Sequence, residues 1–317
     1  MTQERRRDEQ EASRQPRLGP HEARALFEAV SDDRIRPERV FDDVLAPAMP
    51  AWSGFAREYA RYRRFASAPP IAPESDLAPD LWTFYALSRV FEWLTIGVQD
   101  RAGLGRQDPE WPRGGDHPVL SRDELVRFFG AFGMEPMRAR SRYHPFFHEV
   151  AAAVPDPALG EAILVDEEVW PGLRFGDLVF ARAGVRVRCG PKAPFASALA
   201  ARSTLYFAWT RVHRPTCDLS HGWGSGSQWG TDFRRDYADG AVLRYNVDGC
   251  VRLTGDAIIP PPPPHDRGDD DADLCGDLTP AERVELLIHR CFVRTAKPHK
   301  DRWPFDDTYA EPTPGPN

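Results

Sequence analysis

The chain of 317 residues is long enough to bury a sizeable core, and its content of 41% hydrophobic and 28% charged residues is ordinary for a globular protein. Its formal net charge of −7 opposes the positive field that general nucleic-acid binding requires. Composition and charge therefore argue against a nucleic-acid partner, and they do not indicate which ligand or reaction the protein has.

The N-terminal residues and the cysteines predict a cytoplasmic protein. Residues 1–19 begin with charged side chains and have no apolar stretch behind them, which predicts a disordered leader rather than a secretory signal. The most apolar segment, 81–98, contains Arg89 and Glu92, so we expect a buried helix and no membrane span. Five scattered cysteines without a CxxC pair favour reduced thiols.

Apolar residues at alternating spacings of three and four predict a helical lobe over residues 20–135. Pro20 is placed to open its first helix, and residues 52–65 carry an aromatic stripe of the same period. The clearest helix is 80–98, whose stripe runs through Phe84, Leu87, Phe91, Leu94 and Val98. Ser121 and Glu124 form a capping-box pattern, which predicts a helix that ends near Gly133.

Residues 136–255 are predicted to form an α+β lobe. Pro145 places His144 at the start of a predicted helix that buries apolar residues over 147–154 and leaves His148 at the edge of the stripe. Strand-like alternation begins near residue 162, and the acidic triplet 166–168 is expected in a solvated turn. The triplet also offers paired carboxylates for acid–base chemistry, the less favoured interpretation.

Two hairpins are predicted in this lobe. Strands 178–182 and 185–188 are joined at Ala183-Gly184, and strands 242–247 and 250–254 flank the turn Asp248-Gly249. Residues 204–212 fit a strand or a helix, and their aromatic and β-branched content favours the strand.

The last part of the chain is predicted to be a spacer followed by a helix. Residues 256–278 form a proline- and aspartate-rich linker, and Thr279, Pro280 and Glu282 begin a helix within 279–317. Residues from 303 onward are expected to be a weakly structured tail. The predicted fold is therefore α+β, with a helical N-terminal lobe and a C-terminal lobe that holds a small, mainly antiparallel sheet plus a C-terminal helix.

The stretch 213–237, HRPTCDLSHGWGSGSQWGTDFRRDY, is the best candidate for a functional site. Its glycines allow positive φ angles that turn several amide groups towards one point, which suits an anion. Arg234 and Arg235 follow as a predicted anion clamp, and the 143–149 segment, with His148, is expected to face this loop. We predict ligand contacts from Gly222, Trp223, Gly224, Gly226, Trp229, Arg234, Arg235 and His148.

Two other interpretations of this stretch remain open. His221, with His213 as a second candidate, would serve as the acid–base group of a hydrolase or transferase, and His213, Cys217 and His221 are residue types that zinc accepts. Pro215 argues against a helix that would align them, so we predict no metal site. Alternatively, Trp223, Trp229 and Phe233 anchor a structural loop or contact a protein partner.

The favoured hypothesis is that the chain binds or processes a small polar or anionic ligand at 213–237. A protein-interaction or structural role is the main alternative, and a zinc-dependent hydrolase is the second. The residues leave the cofactor unknown, and they leave open whether the protein is an enzyme.

Overall fold

The structure is a computed structural model that describes residues 18–68, 78–101, 117–193, 233–249, 251–253, 287 and 307–315. Helices lie mainly in the N-terminal part, and mainly antiparallel sheets lie in the C-terminal part. The predicted α+β class is therefore confirmed. Of the predicted C-terminal helix only Leu287, which is helical and buried, lies within the described residues.

The N-terminal part is built from short helices and one long one. Single turns of 3-10 or π geometry connect the α-helices and break the predicted 52–65 helix into pieces. The α-helices in the described residues are α1 (Pro20–Val30), α2 (Ala46–Trp52), α3 (Phe55–Glu58), α4 (Ala78–Arg101) and α5 (Arg122–Gly130).

The local helix signals are confirmed. Pro20 opens α1, the apolar stripe of α4 is buried, and the Ser121 hydroxyl accepts the amide N–H of Glu124 at 3.2 Å. The Glu124 carboxylate accepts the Ser121 amide N–H at 2.7 Å in return, which satisfies two of the free donors at the start of α5. No described helix is long and apolar enough to cross a membrane.

A seven-stranded sheet follows the helices, in the order β1-β4-β5-β7-β8-β10-β9. All neighbouring strands are antiparallel except β10 and β9, which run parallel. Its strands are β1 (Glu135–Pro136), β4 (Leu173–Phe175), β5 (Leu178–Ala181), β7 (Tyr237–Ala238), β8 (Val242–Tyr245), β9 (Val251–Arg252) and β10 (Asp307–Pro312).

A three-stranded sheet, in the order β2-β6-β3, contains β2 (His148–Pro155), β3 (Ile163–Trp170) and β6 (Ala183–Cys189). The predicted hairpin at Ala183-Gly184 is wrong, because β5 belongs to the first sheet and β6 to the second, with Arg182 between them. Val185 and Val187 are buried while Arg186 and Arg188 are half-buried, so the predicted alternation is confirmed.

Two further predictions are wrong for the same reason, a strand pairing between residues far apart in sequence. The tail predicted to be weakly structured contains β10, which inserts between β8 and β9. The residues around Asp248-Gly249 therefore do not join a hairpin. The chain turns at Asn246, which has a φ of 46°, and Gly249 donates its amide N–H to the Asn246 carbonyl.

The predicted helix at 147–154 is also wrong. Only one turn forms, in which the His144 carbonyl accepts the amides of Phe147 and His148 at 3.1 and 3.0 Å. The chain then continues as β2, because parallel pairing with β6 satisfies its backbone groups. The acidic triplet lies in β3 rather than in a turn, where Asp166 and Glu167 form ion pairs with Arg188 and Arg186.

One apolar core joins the helices to the seven-stranded sheet. Phe84 of α4 lies at its centre, with ring centroids 5.3 Å from Phe55 and 5.7 Å from both Phe175 and Phe233. Phe233 also stacks on Phe180 at 5.9 Å. The end of the 213–237 stretch is therefore anchored in the core, as one of the sequence interpretations expected of Phe233.

Candidate functional site

Most of the predicted site lies outside the described residues. This applies to both candidate acid–base groups, to the cysteine of the possible zinc ligands and to the glycines and tryptophans of the loop: His213, Cys217, His221, Gly222, Trp223, Gly224, Gly226 and Trp229. The described part of the stretch is 233–237. It includes Arg234 and Arg235, and the structure also describes His148. Their contacts show what holds this end of the stretch in place.

Arg234 belongs to a buried network of charged groups centred on Asp236. Asp236 is fully buried, and its Oδ1 accepts hydrogen bonds from Arg234 Nε at 2.7 Å and from the Asn246 amide at 2.8 Å. Arg182 Nη2 lies 3.6 Å from Asp236 Oδ2. Arg234 also donates to the Leu287 carbonyl at 2.7 Å. Because buried charges require such compensation, this network fixes Arg234 between Asp236 and the Leu287 carbonyl.

Arg235 points elsewhere, into a separate ion pair. Its Nε donates to Asp248 Oδ2 at 2.8 Å, and its Nη2 donates to the other oxygen of that carboxylate. The guanidinium carbon also lies 5.7 Å from the centre of the Tyr62 ring. The two predicted clamp arginines are therefore held by different carboxylates of the protein itself, and their contact with a ligand remains a prediction.

His148 is buried and its ring is held by the turn that begins at His144. The His148 Nδ1 accepts the amide N–H of His144 at 2.9 Å, and the Tyr143 ring lies 5.9 Å from the imidazole. Burial, followed by the neighbouring His144 and the positive charges of Arg140 and Arg182, lowers the pKa of His148 to about 3. His148 therefore stays neutral and shapes the turn, and its contact with a ligand remains a prediction.

His144 is more accessible than His148. Its Nδ1 accepts the Phe146 amide at 3.2 Å, which leaves the ring proton on Nε2. Burial lowers the pKa of His144 to about 4, with Arg140 and Arg182 acting in the same direction, so the imidazole is neutral at physiological pH. The Nε2 atom lies 3.7 Å from Glu311 Oε1, which is longer than a hydrogen bond.

Glu311 comes from β10 and joins His144 to Tyr245 of β8. The Tyr245 hydroxyl donates to Glu311 Oε1 at 2.5 Å, and the Tyr245 ring contacts Phe146 at 4.9 Å. Burial and this hydrogen bond raise the pKa of Tyr245, so the phenol keeps its proton at neutral pH. The Glu311 and His144 side chains are 24% and 21% exposed, which leaves both open to a small molecule.

Arg140 contacts the same aromatic ring as His144, that of Phe147. Its guanidinium carbon lies 3.9 Å from the centre of the Phe147 ring, and the His144 ring lies 5.5 Å from the same ring. The side chain is half-buried, and burial, together with Arg138, lowers the pKa of Arg140. No carboxylate among the described residues forms an ion pair with Arg140.

We call Arg140, His144, Arg182, Tyr245 and Glu311 the Arg140 cluster. It offers a guanidinium and an imidazole N–H to an incoming oxyanion, with the buried charge of Arg182 behind them, and Glu311 as a carboxylate that can accept a proton. Arg182 connects the cluster to Asp236 and thus to the base of the 213–237 stretch. Arg182 therefore lies between His144 and Asp236, the latter being one of the last residues of that stretch.

Sequence reasoning missed Arg140, Arg182, Tyr245 and Glu311. The alternation of arginines in 138–142, RARSR, is a local signal that could have marked Arg140. Glu311 had none, because its place follows from the pairing of β10 with β8. Within the described part of the chain no group of three or more His, Cys, Asp or Glu side chains could hold a metal ion.

Comparisons with protein-family models, with curated proteins and with solved structures find no match.

Proposed function

We propose that this protein binds a small anionic ligand, a carboxylate or a phosphate, at the Arg140 cluster. The observation that carries the proposal is the half-buried Arg140 guanidinium, which has no carboxylate partner among the described residues. Partial burial costs a cation much of its hydration, and a bound anion would replace that hydration with charge-assisted hydrogen bonds.

His144 supports the same ligand class. Its Nε2–H faces the cluster and has no hydrogen-bond acceptor among the residues described. Three cations, Arg138, Arg140 and Arg182, act on this small region, as the lowered pKa values of Arg140 and His144 indicate. A small anion suits it better than an extended polyanion, because the chain as a whole carries a net charge of −7.

The proposal keeps the 213–237 stretch as a wall of the site, since Arg182 is linked through Asp236 to Arg234. Processing of the ligand, with His221 and His213 as acid–base groups, remains a prediction on residues outside those described. We infer a cytoplasmic location from the scattered cysteines, of which Cys189 is a free buried thiol.

Isothermal titration calorimetry of the full chain with inorganic phosphate and, separately, acetate tests the proposal. We expect saturable binding of at least one anion, and binding at least about tenfold weaker in Arg140→Gln, because one charge-assisted hydrogen-bond partner is lost. Arg57→Gln is the matched control, since Arg57 is exposed and lies outside the cluster. Wild-type affinity in Arg140→Gln, or no saturable binding of either anion, would reject the site.

A further inference from the structure

A groove of about 370 Å³ lies at the β8-β10-β9 end of the seven-stranded sheet, on the face opposite the Arg140 cluster. In the pairing of β10 with β8, Tyr309 stands opposite Tyr245 and Ala310 opposite Arg244. Because successive side chains of a strand alternate between faces, Arg244 lies on the face away from Tyr245 and the Arg140 cluster. The volume lies within the range of small-molecule sites, roughly 300–1,000 Å³.

Two arginines give the groove its charge. Arg244 is about one-third exposed, and its Nε lies 2.9 Å from Asp239 Oδ2. Arg252, on the edge strand β9, is exposed and forms no ion pair with any residue that the structure describes. Among the described residues that line the groove, Arg244 and Arg252 are the charged ones, and Asp239 pairs with the first of them, which favours an anionic ligand.

The walls of the groove are formed by the Phe65 ring and by apolar side chains beside it. The Arg244 guanidinium carbon lies 4.2 Å from the centre of the Phe65 ring, and Val247 and Ala310 add further lining. The Thr308 hydroxyl also lines the groove, but it already donates to the Tyr245 carbonyl at 3.0 Å. Planar groups stack favourably on aromatic rings and on guanidinium groups, so a planar ligand fits these walls better than a polyol.

We propose that this groove is a second binding site, independent of the Arg140 cluster, for a small planar anion such as an aromatic carboxylate. Arg252 binds the anionic group, and Phe65 with the stacked Arg244 contacts the planar body. Since none of the described residues forms an ion pair with Arg252, its guanidinium can form both hydrogen bonds to a carboxylate.

Titration calorimetry with benzoate, benzamide and acetate tests separately the negative charge and the planar body that the site is proposed to bind. Benzamide keeps the planar body without the charge, and acetate keeps the charge without the body. We expect benzoate to bind most tightly, and we expect Arg252→Gln to weaken benzoate binding at least about tenfold. Equal binding of benzoate and benzamide, or unchanged benzoate affinity in Arg252→Gln, would overturn the proposal.

Two control variants separate this site from the Arg140 cluster. Arg57→Gln, which removes an exposed arginine outside the groove, should bind benzoate as the wild type does. Arg140→Gln removes the carboxylate contact proposed on the opposite face, so the benzoate binding that depends on Arg252 should persist in it. Loss of benzoate binding in Arg140→Gln with retention in Arg252→Gln would assign the ligand to the Arg140 cluster instead.

Discussion

At the scale of single residues, His148 makes folding dependent on pH. Burial, the neighbouring His144 and the charges of Arg140 and Arg182 lower its pKa from an ordinary 6.5 to about 3. The folded state therefore binds fewer protons than the unfolded state. The stability that neutral His148 provides is complete above about pH 6.5 and is lost as the pH falls towards 3.

We expect His148→Gln to reduce this pH dependence. Between pH 6.5 and 5 the wild-type chain should lose about 2 kcal/mol of unfolding free energy through His148, since each pH unit corresponds to about 1.4 kcal/mol. Urea unfolding at pH 7 and pH 5 measures the loss, which should be smaller in the variant. His21→Gln, a change at an exposed histidine of α1, should retain the wild-type difference. An identical pH dependence in His148→Gln would show that His148 does not carry this effect.

At the scale of elements, Gly184 is required where β6 passes under Trp170. Trp170 is buried and paired with Gly184, and its Nε1 donates to the Arg182 carbonyl at 3.1 Å. A Cβ atom at position 184 would overlap the six-membered part of the indole ring. We expect Gly184→Ala to lower the unfolding free energy by roughly 1–3 kcal/mol, as other overpacked cores do, measured by urea unfolding.

Gly130→Ala is the matched control for that change. Gly130 ends α5, and no atom lies within 4 Å of where its Cβ would be placed. The substitution should leave stability unchanged or raise it by up to about 1 kcal/mol, because alanine restricts the unfolded chain. If Gly184→Ala were as well tolerated as Gly130→Ala, the register of β3 against β6 would be wrong.

Elements that depend on local contacts could be predicted from the sequence, and elements that depend on distant strand pairing could not. Pro20 and the Ser121–Glu124 capping box act within one helical turn, so both helix starts were predictable. The place of β10 was not, because Tyr309 acquires its partner Tyr245 from a strand more than sixty residues earlier. Ala183-Gly184 resembles a hairpin turn locally, but the chain passes there from one sheet to the other.

In the candidate site, too, local features were predictable and contacts between distant strands were not. Local residue types drew attention to the 143–149 segment and to Arg234, and the structure connects the two through Arg182 and Asp236. The contact of His144 with Glu311 depends on the pairing of β8 with β10, which no local pattern encodes. Of the Arg140 cluster, sequence reasoning therefore included only His144, as part of the 143–149 segment, and missed the other four residues.

At the scale of the whole molecule, the helices and the seven-stranded sheet share one core, and Phe84 lies at their junction. Its ring contacts Tyr59 and Tyr62 of the helical part at 5.4 and 5.6 Å, and Phe175 and Phe233 on the sheet side at 5.7 Å. Elements that bury their apolar faces against each other in this way should unfold together rather than as two lobes.

Phe84→Ala tests this cooperativity. Truncation of a fully buried phenylalanine should cost about 3–5 kcal/mol of unfolding free energy. Native-state hydrogen exchange, read by mass spectrometry on peptides from α4 and from β4–β5, should show the same loss of protection in both. Val119→Ala, at a side chain that is 39% exposed, should change neither. A loss confined to the helical peptides would mean that the helical lobe is an independent folding unit, because the sheet would then keep its stability without Phe84.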